Sequence, residues 1–340
     1  MLSIIIANNP ELNKNEIKAY FSRESFPNAF SVGDGNLIVN LNLLKLTQNE
    51  GELVSVICHE IAHYTLKHRE KSYKKYVEYL TSTKYKKEEK EINKLKYNKQ
   101  KRAENFLKDI IYSKKSKSRI QETEADSLGF VYLSRTKYNP RNFINLLSNL
   151  ENSDIEKDSL FEQDLRVFFT TKNQKFIQDW SVIEDFSNYK YSMKKVLKWD
   201  IDSLKTHPDC KDRIQKIEKL INLQSNNDFQ YNDKYFNELK AIADYETVSN
   251  YYYFNKYGYS LYEALKLLKK YKNDQYLLKM VSNNLEKLYN AKKAFKLNIY
   301  IPSINPIEQT KSQQLFYSFI TNLTLNELEN LSNDYKEITN

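Results

Sequence analysis

Residues His59-Glu60-Ile61-Ala62-His63 stand in the middle of a strong helical rhythm, and that placement limits what the chain can fold into. Apolar side chains at Leu53, Val56, Ile57, Ile61 and Tyr64 recur at helical spacing, and Thr47 with Glu50 has the spacing of a capping box at the start. Residues four apart share a helix face, so His59 and His63 can offer two imidazole nitrogens to one tetrahedral ion. Glu60 falls on the apolar side beside them. Burying a lone carboxylate costs on the order of several kcal/mol, so Glu60 must be paired, metal-linked or protonated. The bland alternative is an ordinary amphipathic helix carrying the motif by chance, which is rare in a chain with only four His.

A metal site of this kind needs a third protein ligand. His68 lies five residues past His63, which swings it about 140° around a continuing helix. The HExxHxxGxxH pattern would also need Gly where Leu66 stands and His where Arg69 stands. His68 is therefore expected to be a solvated helix-end residue. The better candidate is Glu122, in Glu122-Thr123-Glu124-Ala125-Asp126, which opens a second helical segment with an apolar side through Ala125, Leu128, Gly129 and Tyr132. Glu122 and Asp126 share a face by the same four-residue rule.

Taken in order, these motifs resemble a known family, the HtpX-like and CAAX-prenyl-protease-like zinc metallopeptidases of peptidase family forty-eight, and within it the soluble BepA-like branch. The resemblance is carried by Asn28-Ala29-Phe30 followed by Gly33, Gly35 and the run Leu37-Ile38-Val39, and by Glu52-Leu53 with the 59–63 motif. Glu122 with Asp126, and Thr206-His207-Pro208 with Arg213, complete it. It implies that His59, His63 and Glu122 ligate one Zn2+ per chain, that a water takes the fourth position, and that Glu60 is the general base of peptide-bond hydrolysis. Asp126 is implied as the partner that fixes the tautomer of a ligating His. His207 is implied as oxyanion support or as a gate over the metal in a resting form, the plain alternative being a cap on the helix that begins at Pro208. Arg213 either fastens that helix to the site or is an ordinary surface residue. Asn36, Leu37, Ile38 and Val39 are implied as an edge strand that pairs with extended substrate through its main chain, the alternative being a core strand that never meets substrate.

The expected fold is α+β, mainly α. A gluzincin-type metallopeptidase domain with a small sheet spans 1–223, with a basic helical insert at about 69–118, and a helical appendage spans 224–340. The mean hydropathy of −0.73 predicts a soluble chain. No stretch approaches the roughly 18 apolar residues of a transmembrane helix. Residues 1–7 are too short for a full secretion signal, so the compartment is left open between the cytoplasm and the periplasm or exterior after loss of a leader. Cys58 and Cys210 are expected as free thiols.

The net charge of +9 is local. Residues 67–119 hold 19 Lys and Arg against 7 Asp and Glu, so the rest of the chain is net negative. With Tyr73, Tyr76, Tyr79, Leu80, Ile92, Leu95 and Phe106 spaced along it, the insert reads as a pair of long polar helices standing over the cleft. A solvated hairpin is favoured, ahead of attraction to an anionic surface or acidic substrate; nucleic acid ranks last because no recognised motif accompanies the charge.

The appendage reads as helices over 236–245, 260–271, 275–291 and 312–322, with turns at Gly258, Asn273-Asp274 and 302–306. The order suggests repeat-like pairs offering a surface to a protein partner, yet no 34-residue recurrence supports a TPR array. Tyr251-Tyr252-Tyr253-Phe254 is expected in the core. The resemblance thus implies a zinc-dependent endopeptidase acting on extended or unfolded polypeptides. A latent or non-enzymatic chaperone or assembly factor, and an aminopeptidase of another gluzincin type, are the alternatives.

Overall fold

The computed structural model describes residues 1–24, 27–151, 159–183, 210–221, 233–305 and 309–339. The chain divides into two compact units, one of Met1–Ser22, Pro27–Asp154 and Tyr191–Phe236, the other of Arg23–Phe26, Ile155–Lys190 and Asn237–Asn340. A split at 223 places 159–183 in the first unit, but Leu160, Leu165, Phe169 and Trp180 enter the core of the second. Such a tie is long-range and leaves no local mark in composition.

The first unit holds α1 (Leu2–Ala7), β1 (Lys18–Ser22), β2 (Ala29–Ser31), β3 (Asn36–Asn40), α2 (Leu41–Leu46), α3 (Glu50–Thr65), α4 (His68–Thr81), α5 (Thr83–Lys94), α6 (Lys99–Ser134), α7 (Arg141–Glu151) and α9 (Cys210–Ile221). The sheet has the order β1-β3-β2, with β3 parallel to β1 and antiparallel to β2. This corrects the expectation for Asn36, Leu37, Ile38 and Val39. They form the central strand, with both edges taken, and Leu37 and Val39 are buried. Alternating apolar residues announce a strand, but its neighbours are chosen by pairing that local sequence does not encode. Among the described residues, the open edges belong to β1 and β2. The tight β2–β3 connection depends on Gly35, whose φ is +89° and where a Cβ would fall 2.0 Å from the Glu16 carbonyl oxygen.

Helix α3 is the central rod, with every residue from 51 to 62 buried. Its cap is Asn49, whose side chain accepts from the Glu52 N–H, while Thr47 ends α2 by donating to the Leu44 carbonyl. The Thr47–Glu50 capping box is therefore not formed. Glu52 is buried, and its carboxylate accepts from the Gln48 N–H and the Asn149 amide. At Lys67 the chain takes a left-handed conformation (φ +55°), which ends one helix axis and begins another at His68.

The insert comprises α4, α5 and the first part of α6, three helices where a pair is expected. Glu122 and Asp126 open no new helix, because the 36-residue α6 begins at Lys99 and runs through them. Gly129 lets α6 approach α3 closely, since a Cβ there would lie 2.9 Å from His59 Cα and 3.0 Å from its nitrogen.

The second unit contains α8 (Glu162–Phe168), a 3-10 turn (Gln178–Ser181), most of α10 (Asp233–Tyr253), α11 (Tyr257–Lys270), α12 (Gln275–Lys293), α13 (Leu297–Tyr300), α14 (Lys311–Asn322) and α15 (Leu325–Thr339). Two helix ends repeat one geometry, with Asn255 and Phe295 left-handed (φ +58°) and bonds from Lys256 N to Tyr251 O and from Lys296 N to Ala291 O. Gly258 is no turn; it lies inside α11, where its missing side chain admits the Tyr300 carbonyl. Tyr251 and Tyr252 are half-buried, whereas Tyr253 and Phe254 are exposed, against expectation, because they close a helix at the surface. No helix among the described residues is long and apolar enough to cross a membrane.

Candidate metal centre

Helices α3 and α6 cross so that three donor groups face one point. His59 Nε2 lies 3.0 Å from His63 Nε2. Glu122 Oε2 lies 3.4 Å from His59 Nε2, and Glu122 Oε1 lies 3.4 Å from His63 Nε2. Donors held at about 2.1 Å around a tetrahedral zinc ion are about 3.4 Å apart, so both the triangle and its chemistry, two imidazoles and a carboxylate, fit a zinc site with one position left open. All three side chains come from rigid helices.

Behind His59, Asp126 Oδ1 sits 2.9 Å from Nδ1. Asp126 in turn accepts two bonds of 2.6 Å from Arg213, one from Nε and one from Nη2, and Arg213 Nη1 lies 3.6 Å from Glu122 Oε2. Arg213, on α9, is thus buried between Glu122 and Asp126 of α6. Burial opposes a charged His59, but Asp126 and Glu122 outweigh it and raise the imidazole to about 10. Burial alone would raise the Asp126 carboxyl; His59 and Arg213 prevail and hold it below the usual carboxylate range. Burial also opposes the Arg213 cation, which Asp126 more than compensates.

Behind His63 stands His68, and the expectation of a solvated residue is overturned. His68 is buried, with Nδ1 2.8 Å from His63 Nδ1 and Nε2 3.0 Å from Glu124 Oε2. With Nε2 of His63 facing the donor triangle, its proton sits on Nδ1 and is donated to His68 Nδ1. His68 then carries its own proton on Nε2 and donates to Glu124. Burial first, and His63 second, lower the His68 pKa, which favours the neutral ring this relay needs. Because α3 ends at Thr65 and the chain turns at Lys67, His68 belongs to a different helix axis and comes back onto His63.

Glu60 is buried next to His59 on the same helix. His207, with Thr206 and Pro208, lies outside the described residues. Cys58 and Cys210 are buried and form no disulfide among the described residues, and burial raises the Cys58 thiol. Over α3 lies the edge strand β2. The bonds Val32 N to Asn36 O and Asn40 N to Asn28 O fix its ladder, so the intervening Ala29 and Ser31 turn their main-chain groups to the open edge.

Comparison with known proteins agrees with this geometry. The family model described as "Peptidase family M48" matches residues 4–221. A curated relative, the Beta-barrel assembly-enhancing protease of Yersinia pestis, is 28% identical over 125 residues, which cover 36% of this chain and 26% of the relative. The chain thus matches about a quarter of that relative's length.

Proposed function

Because the chain belongs to peptidase family M48, a family of zinc-dependent metallopeptidases, we propose that it is a zinc endopeptidase that hydrolyses extended or unfolded polypeptides. The observation that carries the reading is the donor triangle of His59, His63 and Glu122, closed to 3.0–3.4 Å inside the matched region. Zinc held by these three residues would supply Lewis acidity, bringing a water toward a pKa of about 7 and polarising the scissile carbonyl. Glu60 takes the proton of the attacking water and returns it to the leaving amine. Asp126 and His68 hold the two imidazoles in the tautomers that leave Nε2 free. Arg213 screens the adjacent Glu122 and Asp126 from each other.

The outward main-chain groups of Ala29 and Ser31 supply the edge for substrate, taking the place expected of β3. Pairing through backbone tolerates many sequences, which suits an enzyme for unfolded chains. His207 keeps its proposed place as oxyanion support or gate. The test is zinc content together with hydrolysis of unfolded casein by wild type, Glu60→Gln and Glu122→Ala. One zinc in the first two, cleavage only in wild type and weakened metal in the third are expected. Zinc without cleavage in wild type points to a latent or scaffolding protein, and absence of zinc overturns the reading.

A further inference from the structure

A cavity of about 1120 Å³ opens beside the donor triangle, between the β2–β3 turn, α4 and the part of α6 just before Glu122. His68 and Glu124, the two groups behind His63, are part of its lining, and the His63 and His68 rings are 4.9 Å apart. Its sides carry large apolar groups that packing leaves uncovered: Tyr73 is 70% exposed and Ile120 60%. Exposed apolar groups gathered around a concavity next to a reactive centre mark a binding surface. The walls are braced to one another. Gln121 donates to the His68 carbonyl and bonds Ser72, tying α6 to α4. Arg69 ties α4 to β2, its Nη1 donating to the outward Ser31 carbonyl at 3.4 Å. The cavity therefore starts where the free edge of β2 stops.

On the endopeptidase reading, we propose that this cavity is a substrate subsite that selects an aromatic or large aliphatic side chain of the polypeptide. A chain paired with β2 delivers that side chain at a position removed from the bond cleaved, because the cavity is lined by His68 and not by the donor triangle itself. Arg69 marks the border, since its guanidinium holds the last outward acceptor of the edge and its stem packs on Gly33. The selectivity belongs to the insert, because α4 and α6 supply most of the lining. Aromatic preference follows from the ring-rich walls with Lys71 and Lys75 among them, which favour a π face.

The test uses quenched-fluorescence peptides in which one Phe is stepped along an otherwise Ser- and Ala-rich sequence, with wild type, Ile120→Ala, Tyr73→Ala and the double variant. Wild type is expected to prefer Phe over Ser about tenfold or more in kcat/KM at one position removed from the cut, carried mainly by KM, with the ratio falling below about threefold in the double variant. The same peptides are titrated into the Glu60→Gln protein by fluorescence polarisation, so the subsite is tested even if the wild type proves latent. Phe-dependent binding lost in Glu60→Gln proteins carrying Ile120→Ala or Tyr73→Ala supports the subsite. Equal handling of Phe and Ser at every remote position, or a preference that survives the double variant with thermal melts unchanged, overturns it and leaves the endopeptidase reading untouched.

Discussion

His68 Nδ1 stands 2.8 Å from Nδ1 of His63, so a residue outside the donor triangle decides which nitrogen of His63 is free. His68→Ala is expected to weaken zinc about 10- to 100-fold, the usual cost of losing such an outer partner. Competition with a chromogenic chelator reads this directly. His68→Gln, able to accept from His63, should recover part of the loss, and an Ala variant with wild-type affinity would remove the relay from the account.

The proton on His59 competes with metal. A pKa of about 10 means that zinc binding at pH 7 must displace one proton, so apparent affinity should rise about tenfold per pH unit up to that value. Calorimetric titration in buffers of different ionisation enthalpy should give one proton released. The sign for stability is opposite in the metal-free protein. A raised His pKa contributes stability that is complete below the unfolded value near 6.5 and lost as pH climbs through about 10.

Asp126 and Arg213 form a buried pair with both bonds at 2.6 Å. Arg213→Met leaves Asp126 buried with one partner fewer and should cost roughly 3–5 kcal/mol in urea unfolding. The lowered Asp126 pKa adds a pH signature in wild type. Its contribution is present above the unfolded value near 3.8 and disappears as pH falls through the lower folded value, and Arg213→Met should flatten that dependence.

Gly129→Ala tests the crossing of α3 and α6. A methyl group 2.9 Å from His59 Cα forces the helices apart, at about 1–3 kcal/mol of stability. Glu122 and Asp126 ride on the displaced helix, so zinc affinity should fall with stability. A variant that melts early yet binds zinc normally would show that the ligands do not depend on this spacing.

The pairs that meet at the donor triangle were legible because a four-residue spacing on a helix is a local fact: His59 with His63, and Glu122 with Asp126, are each visible within five residues. What the sequence hid was long-range or conformational. Lys67 takes a left-handed turn that no glycine announces, so the swing of about 140° along a continuing helix does not apply to His68. β3 looked like an edge because its parallel partner β1 lies upstream beyond any local window. Arg213 could be placed near the site only by resemblance, and its bond to Asp126 spans 87 positions.

The partners gathered around the donor triangle have a consequence for ion choice. Glu60, Glu122 and Asp126 are buried carboxylates, and among the described residues Arg213 is the buried cation left beside them once a metal displaces the His59 proton. Counted formally, the cluster carries two negative charges, which a divalent ion brings to electroneutrality. A monovalent ion would leave the interior anionic and a trivalent one cationic, each at the steep penalty of an uncompensated charge away from water. On the zinc reading proposed above, Arg213 helps set the valence that the site accepts.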